Sequence, residues 1–302
     1  MSNIERTLEL TVEDGGSRLD AYIAENSDIS RSFAEKLVTD NMVTVNGEAK
    51  PKKYKVKNGD YIYVEIPKEE VPDLTPVKMD IDIIFDCEDF AVIDKPAGVT
   101  VHPAPGHAED TIVNAMLAEF EINDDNDLRP GIVHRLDKDT SGVMLVAKNR
   151  KAREELAKIF ADRQIDKRYL AICWGNPKKD HFIIEEPIGR HHKDRKKMCV
   201  REDGRHAKSE ITVLKRGNTS FLAEIRIYTG RTHQIRVHMS HAGYPLAGDE
   251  VYGNRLSLKM PINRQALHSA QLEFVNPFTN EMVKYESSIP EDMRELIKRL
   301  KL

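Results

Sequence analysis

The run His134-Arg135-Leu136-Asp137-Lys138-Asp139-Thr140-Ser141-Gly142 sets a carboxylate in a polar loop between two apolar segments, Gly131-Ile132-Val133 and Gly142-Val143-Met144-Leu145-Val146. A strand pair flanking such a loop would present Asp137 as a reactive group. A carboxylate held in this way can act as nucleophile or general base without a metal or a cofactor. Asp139 reads as a loop residue rather than the second acid of a pair. A second chemically rich segment runs from Tyr228 through Thr229-Gly230-Arg231-Thr232-His233-Gln234-Ile235-Arg236-Val237-His238-Met239 and on to Asp249. Ile235, Met239 and Ala242 make a helical stripe, Gly243 suits a C-terminal cap, and Arg236 lies beside the stripe, where it borders the core. His233, His238 and His241 raise a metal-binding reading. Against it, Arg231 and Arg236 would repel a cation, no carboxylate falls within 228–239, and a five-residue spacing does not fit one helical face. No metal is expected.

The 134–142 run resembles the second motif of the RluA-type pseudouridine synthases, in which the aspartate of an HRLD sequence is catalytic; the carry-over falls on Asp137. Lys167-Arg168-Tyr169-Leu170-Ala171 resembles a further motif of that family. There the tyrosine stacks on the target base and takes part in proton removal, which implicates Tyr169. An aromatic ring does give an extruded base a surface to stack on. Asp94-Lys95-Pro96-Ala97-Gly98-Val99-Thr100-Val101-His102-Pro103 looks like the first motif, and its glycine and prolines suit architecture around a site. The 228–249 segment matches another: the resemblance makes Arg236 the partner of the catalytic aspartate, Arg231 and His233 candidates for phosphate contact or positioning, and Leu246 a residue packed beneath the site.

Taken together, the resemblance implies an isomerase that extrudes a uridine from structured RNA, breaks the bond between N1 and the ribose, reorients the uracil and rejoins it through C5. Large-subunit ribosomal RNA or its precursor is the expected substrate. The reaction has no net redox change and no leaving group, so no cofactor is expected. Whether Asp137 works at the sugar or at the base is left open. The rival reading is a non-catalytic RNA-binding or ribosome-assembly protein on the same fold, which would not need Asp137, Tyr169 and Arg236 at once. A hydrolase using Asp137 with His134 lacks an identifiable partner nucleophile.

Global charge says little about partners, for the 302-residue chain carries a formal net charge of -4 with a pI near 6.3. Local charge says more: Lys50, Lys52, Lys53, Lys55 and Lys57 have no acidic residue between them, and Arg190, Lys193, Arg195, Lys196, Lys197, Arg201, Arg205 and Lys208 form a second basic stretch. An acidic pI does not exclude RNA binding, because phosphate attraction depends on local potential. The three cysteines, Cys87, Cys173 and Cys199, are far apart and contain no CxxC pair, so neither a disulfide framework nor a zinc knuckle is expected. The amino terminus lacks the basic and apolar sections of a signal peptide and no apolar run is long enough to span a bilayer, so a cytoplasmic monomer without membrane attachment is expected.

The elements that must position these residues fall into two domains. Residues 1–72 read as a small α/β domain: two short helices, the second capped by Ser30-Arg31-Ser32, then a strand ending in the Asn46-Gly47 turn and another over Tyr61–Ile66. This part resembles the alpha-L RNA-binding motif of ribosomal proteins, which implies that Arg31, Ser32 and lysines beyond Asn46, Lys52 and Lys53 among them, face RNA. A proline- and charge-rich stretch leads to a linker at 73–80. From 81 to 302 strands dominate, including Ile81–Phe85, Phe90–Ile93, Val99–Pro103, a hairpin through Gly217-Asn218 and a last one through Asn276–Asn280. Helices are expected from Thr111, from Asn149 and from Pro290. Strands and helices do not alternate regularly, so the expected class is α+β with a mixed, largely antiparallel sheet. Arg135, next to Leu136 in the reactive loop, is a further expected RNA contact.

Overall fold

A computed structural model describes residues 4–67, 74–102, 110–120, 122, 130–194 and 197–302. Ser32's side chain, Pro103, Arg195 and Lys196 lie outside the described part. The chain divides into two compact units, Met1–Pro72 and Asp73–Leu302. Within the described residues of the expected 73–80 linker, the Val77 N–H donates to the Asn114 carbonyl (3.0 Å) and the Thr75 carbonyl accepts from Asn114 Nδ2 (2.9 Å).

In the first unit, β1 (Ile4–Thr11), β2 (Val43–Val45), β3 (Glu48–Ala49) and β4 (Tyr61–Pro67) form an antiparallel sheet in the order β1-β4-β2-β3. The helices α1 (Leu19–Glu25) and α2 (Arg31–Thr39) contribute Leu19, Ile23, Leu37 and Val38 to a core shared with Val43, Ile62 and Val64. Ser30 caps α2, its hydroxyl accepting from the Phe33 N–H at 3.3 Å. Asn46 and Gly47 both take positive φ, as a tight hairpin turn between β2 and β3 requires.

The second unit is built on one large sheet. Its strands are β5 (Asp82–Asp86), β6 (Phe90–Lys95), β7 (Ser141–Ala147), β8 (Asp166–Trp174), β9 (His181–Ile184), β12 (Ser209–Arg216), β13 (Ser220–Ile227), β14 (Leu267–Val275) and β15 (Met282–Glu286). They run in the order β5-β6-β7-β14-β8-β13-β12-β9, with β15 added to β14. Every pairing is antiparallel except β14 with β7. A separate ribbon pairs β10 (Ile188–Arg190) with β11 (Met198–Val200). The mixed, largely antiparallel α+β expectation holds.

Period-two alternation divides the central strands between two cores. Ala91, Ile93, Met144, Val146, Tyr169 and Ala171 face one side, where α3 (Ile112–Glu119) and α5 (Gln234–His241) supply Ile112, Met116, Ile235 and Met239. Phe90, Val92, Val143 and Leu145 face the other, against Ala152, Leu156 and Ile159 of α4 (Arg150–Ala161). Met293 and Leu296 of α6 (Glu291–Leu300) pack with Ile172 of β8 in a further cluster. Strands covered on both faces explain the unbroken apolar runs in β6 and β7.

Two expected strands are absent. Gly131–Val133 makes only an isolated bridge, Ile132 to Val146, and among the described residues of the Val99–Pro103 stretch only Thr100 bridges, to Thr111. Glycine is the cause in both places. Gly98 and Gly131 have φ of 88° and 72°, so each turns the chain where a strand would continue. A Cβ at Gly131 would also strike the Ala147 carbonyl, so the chain crosses the end of β7 instead of running beside it.

Candidate active site

A cavity of about 670 Å³ opens in the second unit, in the size range of small-molecule sites. Arg135, Arg163, Lys167, Arg205, Arg231 and Arg236 line it, and Asp137 is the single carboxylate among its lining residues.

Asp137 sits on a loop that is clamped from several directions. His134 Nε2 accepts from the Leu145 N–H at 2.9 Å, and its ring stacks on Phe160 at 4.4 Å between centroids. Burial, then the charge of Lys167, pushes this imidazole down to about 3, so it stays neutral and accepts that bond. His134 therefore anchors the loop to β7 and is no base for Asp137. Leu136 is buried in the core. The Lys138 carbonyl accepts from the Gly98 N–H at 3.0 Å and from Lys95 Nζ at 2.9 Å, and Arg264 Nη1 donates to the Asp139 carbonyl at 3.0 Å. The stretch around Lys95 thus braces the loop, as its composition implied. At the loop's exit Gly142 has φ of 111°, and a Cβ there would collide with Ser269 of the parallel neighbour β14.

Arg236, on the first turn of α5, is 6% exposed and holds two carboxylates. Nη1 donates to Asp137 Oδ2 at 3.0 Å, while Nε and Nη2 grip Asp249 Oδ2 and Oδ1 at 2.8 and 2.9 Å. Asp249 is fully buried and also accepts from the Val251 and Tyr252 N–H groups at 3.0 Å each. Burial alone would raise the Asp249 carboxyl, yet Arg236 and these two N–H groups hold it below the usual carboxylate range. Arg236 is raised in turn: burial opposes, and the bonds and charges of Asp249, then of Asp137, outweigh it. The fork fixes the guanidinium plane, so the remaining N–H group points at Asp137.

His233, the N-cap of α5, lies in the left-handed region with φ of 55°. Its Nδ1 is 2.8 Å from the Tyr252 hydroxyl and its Nε2 is 3.9 Å from Asp137 Oδ1. Tyr252 Oη accepts from the Met198 N–H of the β10–β11 ribbon at 2.8 Å, which leaves its own proton available for His233 Nδ1. That leaves the Nε2–H of a neutral imidazole facing Asp137. Burial lowers the imidazole below its ordinary value and Asp137 opposes the shift. Gln234 fastens the approach to α5, accepting from Thr229 Oγ1 (2.7 Å) and the Arg231 N–H (3.1 Å) and donating to the Lys208 carbonyl (3.0 Å).

Tyr169 enters the cavity from β8 and is buried. Burial pushes its phenol up to about 12, with Asp137 adding to the rise and a hydrogen bond to Ser269 opposing it. At neutral pH the ring is a neutral phenol, better suited to stacking than to taking a proton. Leu246 is buried in the cluster that includes Leu136, Tyr169 and Ile235. His238 instead points at Ser209 Oγ and the Glu186 carbonyl. Among the described residues no group of three or more His, Cys, Asp or Glu could hold a metal ion.

The structure therefore brings Asp137, Tyr169, Arg236, Arg135, Arg231 and His233 to one cavity. Arg31, Lys52 and Lys53 belong to the first unit. Arg31 is exposed with Nε 3.7 Å from the buried Asp20, Lys52 pairs with Glu35, and Lys53 is exposed. Sequence reasoning missed Asp249 and Tyr252. The available signal was an aspartate closing an apolar stretch, Tyr244–Gly248, thirteen residues after an arginine expected at the core edge.

A protein-family model described as RNA pseudouridylate synthase matches residues 89–241. An uncharacterised RNA pseudouridine synthase of Bacillus subtilis, YlyB, is 43% identical over 96% of this chain and 96% of its own length. The ribosomal large subunit pseudouridine synthase D of Pseudomonas aeruginosa is 39% identical, covering 99% of this chain and 96% of that protein. Among solved structures, human RNA pseudouridylate synthase domain containing 4 superposes with a TM-score of 0.58 at 25% identity, covering 73% of this chain and 93% of that one. A cation-lined cavity with one carboxylate, on this sheet and with relatives matching nearly end to end, has one consistent explanation: the chain belongs to the RNA pseudouridine synthase family.

Proposed function

We propose that this enzyme converts uridines of large-subunit ribosomal RNA to pseudouridine with Asp137 as its catalytic carboxylate. The observation that carries the assignment is Asp137 itself, the cavity's one acid, held 3.0 Å from a guanidinium that a buried aspartate keeps in place. In the reaction the N1–C1′ bond breaks and a C5–C1′ bond forms, N1 gains a proton and C5 loses one. Attack at the ribose and attack at the uracil ring both use an ionised carboxylate. Tyr169 provides the face on which the extruded base stacks, Arg236 holds Asp137 in position, and the other cations receive the RNA strand. The ribosomal target is supported by the relatives named as large-subunit enzymes. On this reading the enzyme works as a monomer in the cytoplasm, and the 1–72 unit adds RNA affinity through Arg31, Ser32, Lys52 and Lys53.

The test is to map pseudouridine in large-subunit RNA from cells with and without the gene, then complement with wild type or Asp137→Asn. Specific positions should lose the modification and regain it only with the wild-type gene. Restoration by Asp137→Asn would remove Asp137 from the chemistry; an unchanged map would remove the ribosomal target.

A further inference from the structure

The cavity's cations form two sets. Arg236 is answered by Asp249 and Asp137, whereas Arg163, Lys167, Arg205 and Arg231, and Arg135 on the Asp137 loop, have no carboxylate at ion-pair distance among the described residues. Arg231 makes one side-chain contact, Nε donating to the His206 carbonyl at 2.9 Å. Cations nearby are not left this way: Arg168 pairs with Asp166 and Glu224, and Arg226 with Asp166. Both oxygens of Asp166, the acid next to Lys167 in sequence, are therefore occupied. Lys167 is 6% exposed, and its ammonium lies 5.8 Å from the centre of the Phe160 ring. Burying an ammonium with so little compensation is costly unless an anion arrives to meet it. The four groups feel one another. Burial, then Arg163, lowers the Lys167 ammonium below its usual range although the charge of Asp166 opposes the shift; burial, then Arg205 and Arg163, lowers Arg231.

We propose that Arg163, Lys167, Arg205 and Arg231 form a phosphate subsite that takes a backbone phosphodiester of the RNA at the nucleotide entering the cavity. The inference rests on reading the cavity as an RNA site, and it names the part of the substrate these residues recognise. Guanidinium forks match phosphate oxygens, and one bound phosphodiester relieves the mutual repulsion of the cluster. Position supports the same conclusion. Lys167 and Tyr169 are two residues apart on β8, hence on the same face and about 7 Å apart along the strand. That is of the order of the distance from a nucleotide's phosphate to its base, so a phosphate at Lys167 sets the base against Tyr169.

The experiment compares binding of uridine 3′,5′-bisphosphate and of uridine to the full-length protein by calorimetric or NMR titration. Wild type should prefer the bisphosphate by about tenfold or more, and Lys167→Met and Arg231→Gln should each remove most of that preference while leaving uridine affinity unchanged. Arg231→Lys should restore part of it. On polyuridylate, the slope of log affinity against log salt should fall by about 0.7 for each contacting cation removed. Arg231→Gln, at a half-buried loop position, carries the test if Lys167→Met does not fold. Equal binding of uridine and bisphosphate by wild type, or a preference unchanged in the variants, would overturn the proposal. Failure of the pseudouridine reading would look different: wild type would keep its bisphosphate preference yet leave RNA free of pseudouridine.

Discussion

At Arg236 one guanidinium serves two carboxylates of different purpose, Asp137 at the cavity and Asp249 in the core. Arg236→Met therefore does not simply remove a charge from Asp137, because it strands Asp249 in the interior, where breaking a buried pair costs about 3–5 kcal/mol. Asp249→Asn should cost a similar amount at neutral pH and also slow catalysis by releasing the fork. The pH dependence follows from sign. Asp249 is depressed in the folded state, so its contribution is present above the unfolded carboxylate value, about 4, and is lost as pH falls below it. Urea unfolding of wild type and Asp249→Asn should diverge at pH 7, and the gap should narrow as pH falls below about 4; a constant gap would mean the aspartate does not act through its charge. A second prediction concerns Tyr252, whose hydroxyl orients His233 toward Asp137. Tyr252→Phe should lower kcat about tenfold, the worth of one hydrogen bond, with KM retained. A rise in KM alone would assign Tyr252 to RNA binding.

Among the elements, the Asp137 loop depends on β6 and its following turn as much as on β7. Lys95 is fully buried at the end of β6, where it donates to the Pro96 and Lys138 carbonyls. Burial lowers its ammonium to about 7, with Asp139 and then Asp137 opposing. The folded state thus binds its proton more weakly than the unfolded chain does. The cost of burying the charge is in full force below pH 7 and is relieved as pH rises from about 7 toward the unfolded lysine value of about 10.4. Relative to Lys95→Met, wild type should gain stability between pH 6.5 and 9, read from denaturant midpoints. A difference that stays flat with pH would mean Lys95 keeps its proton throughout. The variant should also turn over more slowly, because the carbonyl of Lys138, next to Asp137, loses a donor.

For the whole molecule, the division into Met1–Pro72 and Asp73–Leu302 leaves every cavity residue in the second unit. A protein comprising 73–302 should keep isomerisation on RNA while binding it more weakly. Its affinity should also depend less steeply on salt, since phosphate contacts made by the first unit are gone. Salt titrations of both forms check this, and equal slopes would assign the first unit another role. Lys50 and Lys52 have Glu48 and Glu35 beside them, so the loss per lysine should be less than for unpaired cations.

Residue order by itself determined the local elements and the identity of the reactive groups. Ser30, Thr111 and Asn149 each cap a helix because their side chains meet the first free N–H groups without help from the rest of the chain. Asp137, Tyr169 and Arg236 could be singled out as candidates, and expected near one another, because their motifs are contiguous, and all three line one cavity. Tertiary structure alone decided the rest. Whether Gly131–Val133 extends as a strand depends on how closely the chain crosses Ala147, and no local pattern carries that distance. Asp249 lies thirteen residues from its partner; whether it sits on the surface or grips a buried arginine is settled only when α5 and the following turn pack together. The cation cluster is the furthest example. Arg163, Lys167, Arg205 and Arg231 come from separate segments, and a charge counts as unanswered only after folding has shown which acids are within reach and already taken.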